Sequence, residues 1–178
     1  MPRFTNFATN NSPVDGSNPT YSASVSGLVG LAGDVAIING AAGKVIRVTR
    51  VEFSGTATGV TPVVVTLVMR STADTAGTAM TAVPHDARDG AASAVAQSYT
   101  AAPTPGTTIG TIRTATVVVA TVGTPTEAYT QTWDFGNGPK KCPVLYNAAQ
   151  GLAVNVGATV AGALYDIDIE WTEEIPNG

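Results

Sequence analysis

The chain has 178 residues, 44% of them apolar and 12% charged, and its nine basic and thirteen acidic side chains give a net charge of −4. Soluble domains average roughly 25% charged residues, so this balance excludes a disordered charged tail. With no basic run longer than the pair Lys140 and Lys141, it also argues against a surface that tracks nucleic-acid phosphates.

Val and Ile together outnumber Leu five to one, and Thr alone supplies 26 residues. β-Branched side chains suit sheets, and strong helix formers are too few for a bundle. The expected fold is therefore all-β: an antiparallel β-sandwich, jelly-roll-like, occupying residues 21–174 as one domain. An extended N-terminal arm precedes it at 1–20 and a short tail follows at 175–178. Cys142 is the only cysteine, so neither an intrachain disulfide nor a cysteine-rich zinc site can form. The N-terminal residues lack the apolar segment of a signal peptide, and no apolar run approaches a membrane span. A soluble protein maturing in a cytoplasm, with no membrane partner, is the expectation.

The arm is rich in Asn, Thr, Ser, Pro, Asp and Gly. So polar a segment buries little of its own surface, and a neighbouring subunit or another partner is expected to hold it, with Arg3, Phe4 and Phe7 as its candidate contacts. Strand-like runs bounded by Gly, Pro, Asn and Thr then follow at 21–31, 35–38, 44–53, 63–70, 93–100, 109–122, 128–135, 143–146, 151–156 and 163–172. In the run 63–70, Val63, Val65, Leu67 and Met69 are apolar while Val64, Thr66, Val68 and Arg70 are mixed. That pattern fits a central strand covered on both faces for part of its length. The last run alternates most clearly, with Tyr165, Ile167, Ile169 and Trp171 on one face and Asp166, Asp168, Glu170 and Thr172 on the other; this is a strand with one side in the core. Residues 71–92 and 101–108 break the pattern and read as loops, the first long enough to carry a contact surface.

Chemistry-bearing residues are sparse. His85 is the only histidine, so a Ser-His-Asp arrangement would have to pass through it, oriented by Asp86 or Asp89, and the same three residues could in principle share a metal. The simpler reading is a polar loop in which Asp86 or Asp89 accepts turn hydrogen bonds or pairs with Arg88. Asp166, Asp168 and Glu170 lie some 6 to 7 Å apart along one strand face, the geometry of a row that faces solvent or pairs across strands with the arginines of 44–53, with a charged subunit contact and then a metal site as the lesser alternatives. Gly27, Gly30 and Gly33 lack the spacing of a dinucleotide turn. Trp133-Asp-Phe-Gly136 shares only letters with a kinase motif and reads as a strand end and turn. No cofactor, metal or catalytic residue is expected, and the chain reads as a non-enzyme.

Six segments resemble a group of small structural proteins encoded by tailed bacteriophages: Val48-Thr-Arg-Val-Glu-Phe-Ser-Gly55, Val65-Thr-Leu-Val-Met-Arg-Ser-Thr72, Ala82-Val-Pro-His-Asp86, Trp133-Asp-Phe-Gly136, Gly151-Leu-Ala-Val-Asn155 and Asp166-Ile-Asp-Ile-Glu-Trp-Thr-Glu-Glu174. The resemblance spans roughly residues 44–174 and leaves the first 43 outside. It implies a virion role on the capsid exterior after assembly in the host cytoplasm: a decoration or cement protein, most simply a homotrimer, bound to the major capsid protein. His85, Asp86, Arg88 and Asp89 join the arm residues as candidate capsid or subunit contacts. The alternative is a fibre- or spike-associated module that binds carbohydrate or receptor. Against it, the chain has only 11 aromatic residues, and Tyr165, Trp171 and Phe53 are expected in the core.

Overall fold

A computed structural model describes residues 18–121, 129–136 and 142–176. The candidate contacts Arg3, Phe4 and Phe7 lie outside the described residues. Among the described residues there are twelve strands and no helix: β1 (Thr20–Val29), β2 (Gly33–Asn39), β3 (Val45–Ala57), β4 (Thr61–Arg70), β5 (Thr78–Ala79), β6 (Ala82–Pro84), β7 (Val95–Ser98), β8 (Thr108–Thr121), β9 (Gln131–Asp134), β10 (Val144–Leu145), β11 (Gly151–Val156) and β12 (Leu164–Glu174). Each expected run contains a strand. The exception to the expected map is the loop at 71–92, which holds β5 and β6; their two and three residues are too short for an alternation signal.

The strands form two facing sheets. In the first, β6, β1, β12 and β3 lie side by side, with β10 and then β9 along the other edge of β3. In the second, the order is β5, β7, β2, β11, β4, β8. The inner sets β1-β12-β3-β9 and β2-β11-β4-β8 are antiparallel throughout, and the chain repeatedly passes from one sheet to the other. That is the jelly-roll arrangement of a long hairpin rolled on itself. The sheets join along one flank, where β8 runs parallel to β3 at Thr56↔Ala120 and Ala57↔Thr121.

Period-two alternation decides which side chains meet between the sheets. On β12, Tyr165, Ile167, Ile169 and Trp171 are all at most 2% exposed, as expected from the sequence. They meet Ile46, Val48, Val51 and Phe53 of β3, and Val63, Val65, Leu67, Val117, Val119, Leu152, Val154 and Val156 of the opposite sheet. The β3 set changes parity between Val48 and Val51. A bulge absorbs the extra residue, since Glu170 pairs with Arg50 but Trp171 pairs with Val48, and so both halves of β3 face the core. A second bulge interrupts β1 between Val25 and Leu28. There Gly27 adopts φ +68°, a conformation that costs glycine little. Gly30 is required for a different reason: a Cβ on it would lie 2.7 Å from that of Ala163, so the backbone passes too close for any side chain.

The alternation predicts opposite responses at adjacent positions. Ile169→Ala should cost about 3 kcal/mol and lower the melting temperature by roughly 10 °C, whereas Asp168→Asn should stay within about 0.5 kcal/mol. Denaturant and thermal unfolding of the two variants check this, and equal losses would contradict the facing assigned to β12.

Candidate functional site

The segment joining β4 to β8 is the longest connection among the described residues, and it is fastened at both ends and in the middle. At its ends, residues 71–75 run against 104–107. Ser71 donates its amide to the Thr107 carbonyl at 2.9 Å and Thr75 to that of Thr104 at 3.2 Å, while the Thr107 amide donates to Thr72 Oγ1 at 2.7 Å. Beneath them, on the outer face of the second sheet, lies a buried ionic cluster. Arg70 at the end of β4 donates through Nε and Nη2 to Asp34 Oδ2 on β2 at 3.0 and 2.6 Å. Asn155 on β11 donates to Asp34 Oδ1 at 2.6 Å. Arg70 Nη1 donates to the Gly106 carbonyl at 3.2 Å and to the Thr108 hydroxyl, and the Gly106 amide donates to Asp74 Oδ1 at 2.7 Å.

The side chains of Asp34 and Asp74 are fully buried and that of Arg70 is 7% exposed. Two carboxyls thus share one guanidinium in a dry setting, which is costly unless one of them is neutral. Burial first, then the nearby Asp34, pushes the Asp74 carboxyl above its ordinary value against the opposing pull of the Gly106 amide and Arg70. The Tyr99 hydroxyl and Asp74 Oδ2 are both buried without a hydrogen-bond partner; burial and the charge of Asp74 push the Tyr99 phenol well up. Tyr99 also packs with Ile37 and Ala153 in a small apolar cluster apart from the main core. The ends of the connection are therefore the lid of a second, polar core.

In its middle the connection crosses to the first sheet. Strand β6 pairs with β1, Tyr21 opposite Pro84. The His85 amide donates to the Thr20 carbonyl at 2.8 Å, and the Tyr21 hydroxyl donates to the Gly90 carbonyl at 3.1 Å. Glu173 completes the fastening. It is 3% exposed and accepts from the amides of Ser93 at 2.8 Å and Ala94 at 2.9 Å and from Trp171 Nε1 at 3.2 Å. This residue escaped the sequence reading, although the signal was present: Glu173 continues the odd-numbered core face of β12.

Of the residues expected to form a site, His85, Asp86, Arg88 and Asp89 sit together on the outward turn after β6. Asp86 accepts from the Arg88 amide at 3.0 Å and pairs with its guanidinium at 2.5 Å, with the Arg88 side chain 89% exposed. The guanidinium holds the Asp86 carboxyl below its ordinary value. This is the turn-and-pair arrangement expected from the sequence. Among the described residues the His85 ring makes no hydrogen bond to either aspartate, so no base-orienting pair is assembled there. Val83, 54% exposed, His85, Ala87 and Arg88 form the outward surface of the turn.

The carboxylate row lies on the outer face of the first sheet, on an interior strand between β1 and β3. Glu170 accepts from the Thr49 hydroxyl at 2.6 Å and lies 3.6 Å from Arg50. Asp168 accepts from the Ser24 hydroxyl at 2.7 Å, and Asp166 from the Gly27 amide at 3.0 Å. Only Glu170 of the three is paired with an arginine of 44–53; the two aspartates use donors on β1 instead. With Glu52, Ser26, Ser54 and Thr130, they line a shallow cleft of about 310 Å³. Such a surface can accept hydrogen bonds from hydroxyl or ammonium groups. Among the described residues no three His, Cys, Asp or Glu are grouped so as to hold a metal ion. Comparison with known protein families, with curated proteins and with solved structures finds no match to the chain.

Two predictions follow from these clusters. Burial holds the Asp74 carboxyl above its ordinary value in the fold, so folding favours its protonated form. The associated stabilisation is complete below the unfolded carboxyl value and is lost as pH rises through the folded one. Asp74→Asn should remove this slope and equal or exceed the parent in stability at pH 7, read by denaturant unfolding from pH 4 to 8. A loss above about 1 kcal/mol would show that the charge on Asp74 is needed by Arg70. For the outer cleft, a chelator should leave the melting temperature within about a degree, whereas an ion held at 100 times its dissociation constant would contribute about 2.7 kcal/mol.

Proposed function

We propose that the chain is a non-enzymatic virion structural protein, a decoration or cement protein that binds the outside of a tailed-bacteriophage capsid as an oligomer, most simply a trimer, and stabilises it. The observation that carries this reading is the fastened connection between β4 and β8. Two buried carboxylate clusters hold it in place, and it presents Val83, His85, Ala87 and Arg88 outward as a pre-ordered surface. Preorganisation of this kind lowers the entropy cost of protein–protein contact. A mixed surface of two apolar and two polar side chains suits a protein partner such as the major capsid protein better than it suits a reaction. The segments that resemble phage structural proteins support the same reading, since they fall mainly on the core strands β3, β4, β9, β11 and β12 and on the turn after β6.

A second reading, a carbohydrate- or receptor-binding module of a fibre or spike, is favoured by one observation. The cleft lined by Ser24, Ser54, Glu52 and Asp168 offers acceptors for sugar hydroxyls, and Tyr129 beside Thr130 is 53% exposed.

Capsids stripped of the protein separate the two readings. Added protein should rebind them to saturation at symmetry-related sites. Val83→Asp combined with Arg88→Glu should weaken occupancy at least tenfold, about 1.4 kcal/mol, with an unchanged melting temperature. Full occupancy by that variant would remove the turn from the contact. Failure of the parent protein to bind capsids, together with glycan binding lost on Asp168→Ala, would establish the second reading instead.

A further inference from the structure

Strand β8 is paired along its whole length with β4, from Thr108 to Val119. Its other edge meets β3 only at Ala120 and Thr121. Bulges opposite Leu67/Val68 and Met69/Arg70 interrupt its first half, but from Arg113 to Val119 the register with β4 is unbroken. Among the described residues no strand pairs with the second edge of that seven-residue stretch. Among the described residues its alternate residues, those not bonded to β4, thus present a regular row of amides and carbonyls along about 23 Å of edge. Natural edges are usually blunted by proline, lysine or inward charge. Residues 113–119 contain no proline, and their one charged side chain, Arg113, turns away to the Ile112 carbonyl at 2.9 Å and to the ring of Phe135, 5.3 Å from its centroid. Beside the edge, Val118 and Val64 are each 46% exposed, an apolar step next to free backbone. Such an edge accepts an added strand.

Chain outside the described residues supplies a strand of the right kind. Residues 3–12, Arg-Phe-Thr-Asn-Phe-Ala-Thr-Asn-Asn-Ser, lie between Pro2 and Pro13 and contain neither proline nor glycine. They are long enough to span all seven residues of the edge, and Pro13-Val-Asp-Gly-Ser, rich in turn-forming residues, connects them to Asn18. One positive charge, Arg3, meets one positive charge on the acceptor, so repulsion is small and can be avoided by register. Alternation would place Phe4 and Phe7 on opposite faces, one of them beside Val118 and Val64.

The place where the described chain begins selects the donor. Asn18 donates to Glu174 at 3.1 Å, and Thr20 pairs with Thr172, which pairs with Arg47. The arm therefore leaves beside the start of β3, on the flank carrying β1 and β6. The free edge lies on the opposite flank and toward the end of β3, where Thr121 meets Ala57. Donor and acceptor lie on opposite flanks of the sandwich. A contact between different patches on successive copies is heterologous, and such contacts close into rings when the rotation allows. We propose that residues 3–12 of one copy add as a strand to residues 113–119 of β8 in the next copy. This rests on the reading of the chain as an oligomer and specifies what joins its subunits.

Hydrogen exchange of the full chain and of a variant lacking residues 2–12 tests the pairing, with light scattering on the same samples. The amides of 113–119 that point away from β4 should exchange at least tenfold faster in the deletion variant, while those bonded to β4 and those of β12 are unchanged. The donor is identified by mixing isotopically labelled deletion variant with unlabelled full-length chain: the labelled β8 should regain protection. Equal exchange with and without the arm overturns the inference, as does protection confined to chains that carry their own arm. An oligomer with an unprotected β8 edge would sink this inference and leave the capsid reading standing, whereas a protected edge in protein that fails to bind capsids would do the reverse. A monomer at all concentrations would overturn both.

Discussion

The pairing of β3 with β12 is the constraint on which the other elements depend. Eleven residue pairs run from Leu164 opposite Thr56 to Glu174 opposite Val45, and the inner faces of both strands supply three of the four largest fully buried side chains, Trp171, Tyr165 and Phe53. Tyr21 stacks on Trp171 at 5.9 Å and Phe53 meets Tyr165 at a tilt, 4.9 Å between ring centroids, so β1, β12 and β3 are locked through aromatic contacts as well as ladders. A slip of one residue would turn Ile167 and Ile169 outward and Asp166 and Asp168 inward, exchanging apolar burial for buried charge. The bulge in β3 matters for the same reason, because it lets Val48 and Val51 serve one face despite their odd spacing.

Against that frame the acidic side chains divide by what they touch. On the outside of the first sheet, Asp166, Asp168 and Glu170 rest on hydroxyls, an amide and one arginine. Inside or beneath cover, Asp34, Asp74 and Glu173 take backbone amides, a tryptophan N–H and a single guanidinium. The buried set gathers segments that lie far apart in sequence, and truncating any one member would leave donors unpaired in a dry setting. The long connection is ordered by carboxylates as well as by the apolar burial of Ala94, Ala96 and Tyr99.

How legible this was follows from the range of each signal. The core face of β12 could be read directly, because alternation is a local property, and β4 showed its double coverage in the mixed residues Val68 and Arg70. Glu173 was readable in principle from the same parity, but its charge led the eye to the solvent. The cluster of Asp34, Arg70, Asp74 and Asn155 was not readable: its members are separated by up to 121 positions, and no local pattern reports that β2, β4 and β11 become neighbours. Likewise β5 and β6 exist only because β7 and β1 offer them edges. The outward turn at His85 was placed correctly, since Asp86 and Arg88 meet through a two-residue separation that needs no tertiary partner.

Strand β12 lies between β1 and β3 yet comes after every other strand in chain order. During synthesis, at about 5–20 residues per second, β1 and β3 emerge early and then wait for more than a hundred residues with the slot between them empty. Neither can complete its ladder before residue 174 has left the ribosome. The sandwich must therefore close late and all at once, around its last strand. Truncated chains would lack the middle of a sheet rather than its margin, leaving β1 and β3 as two separated and adhesive borders.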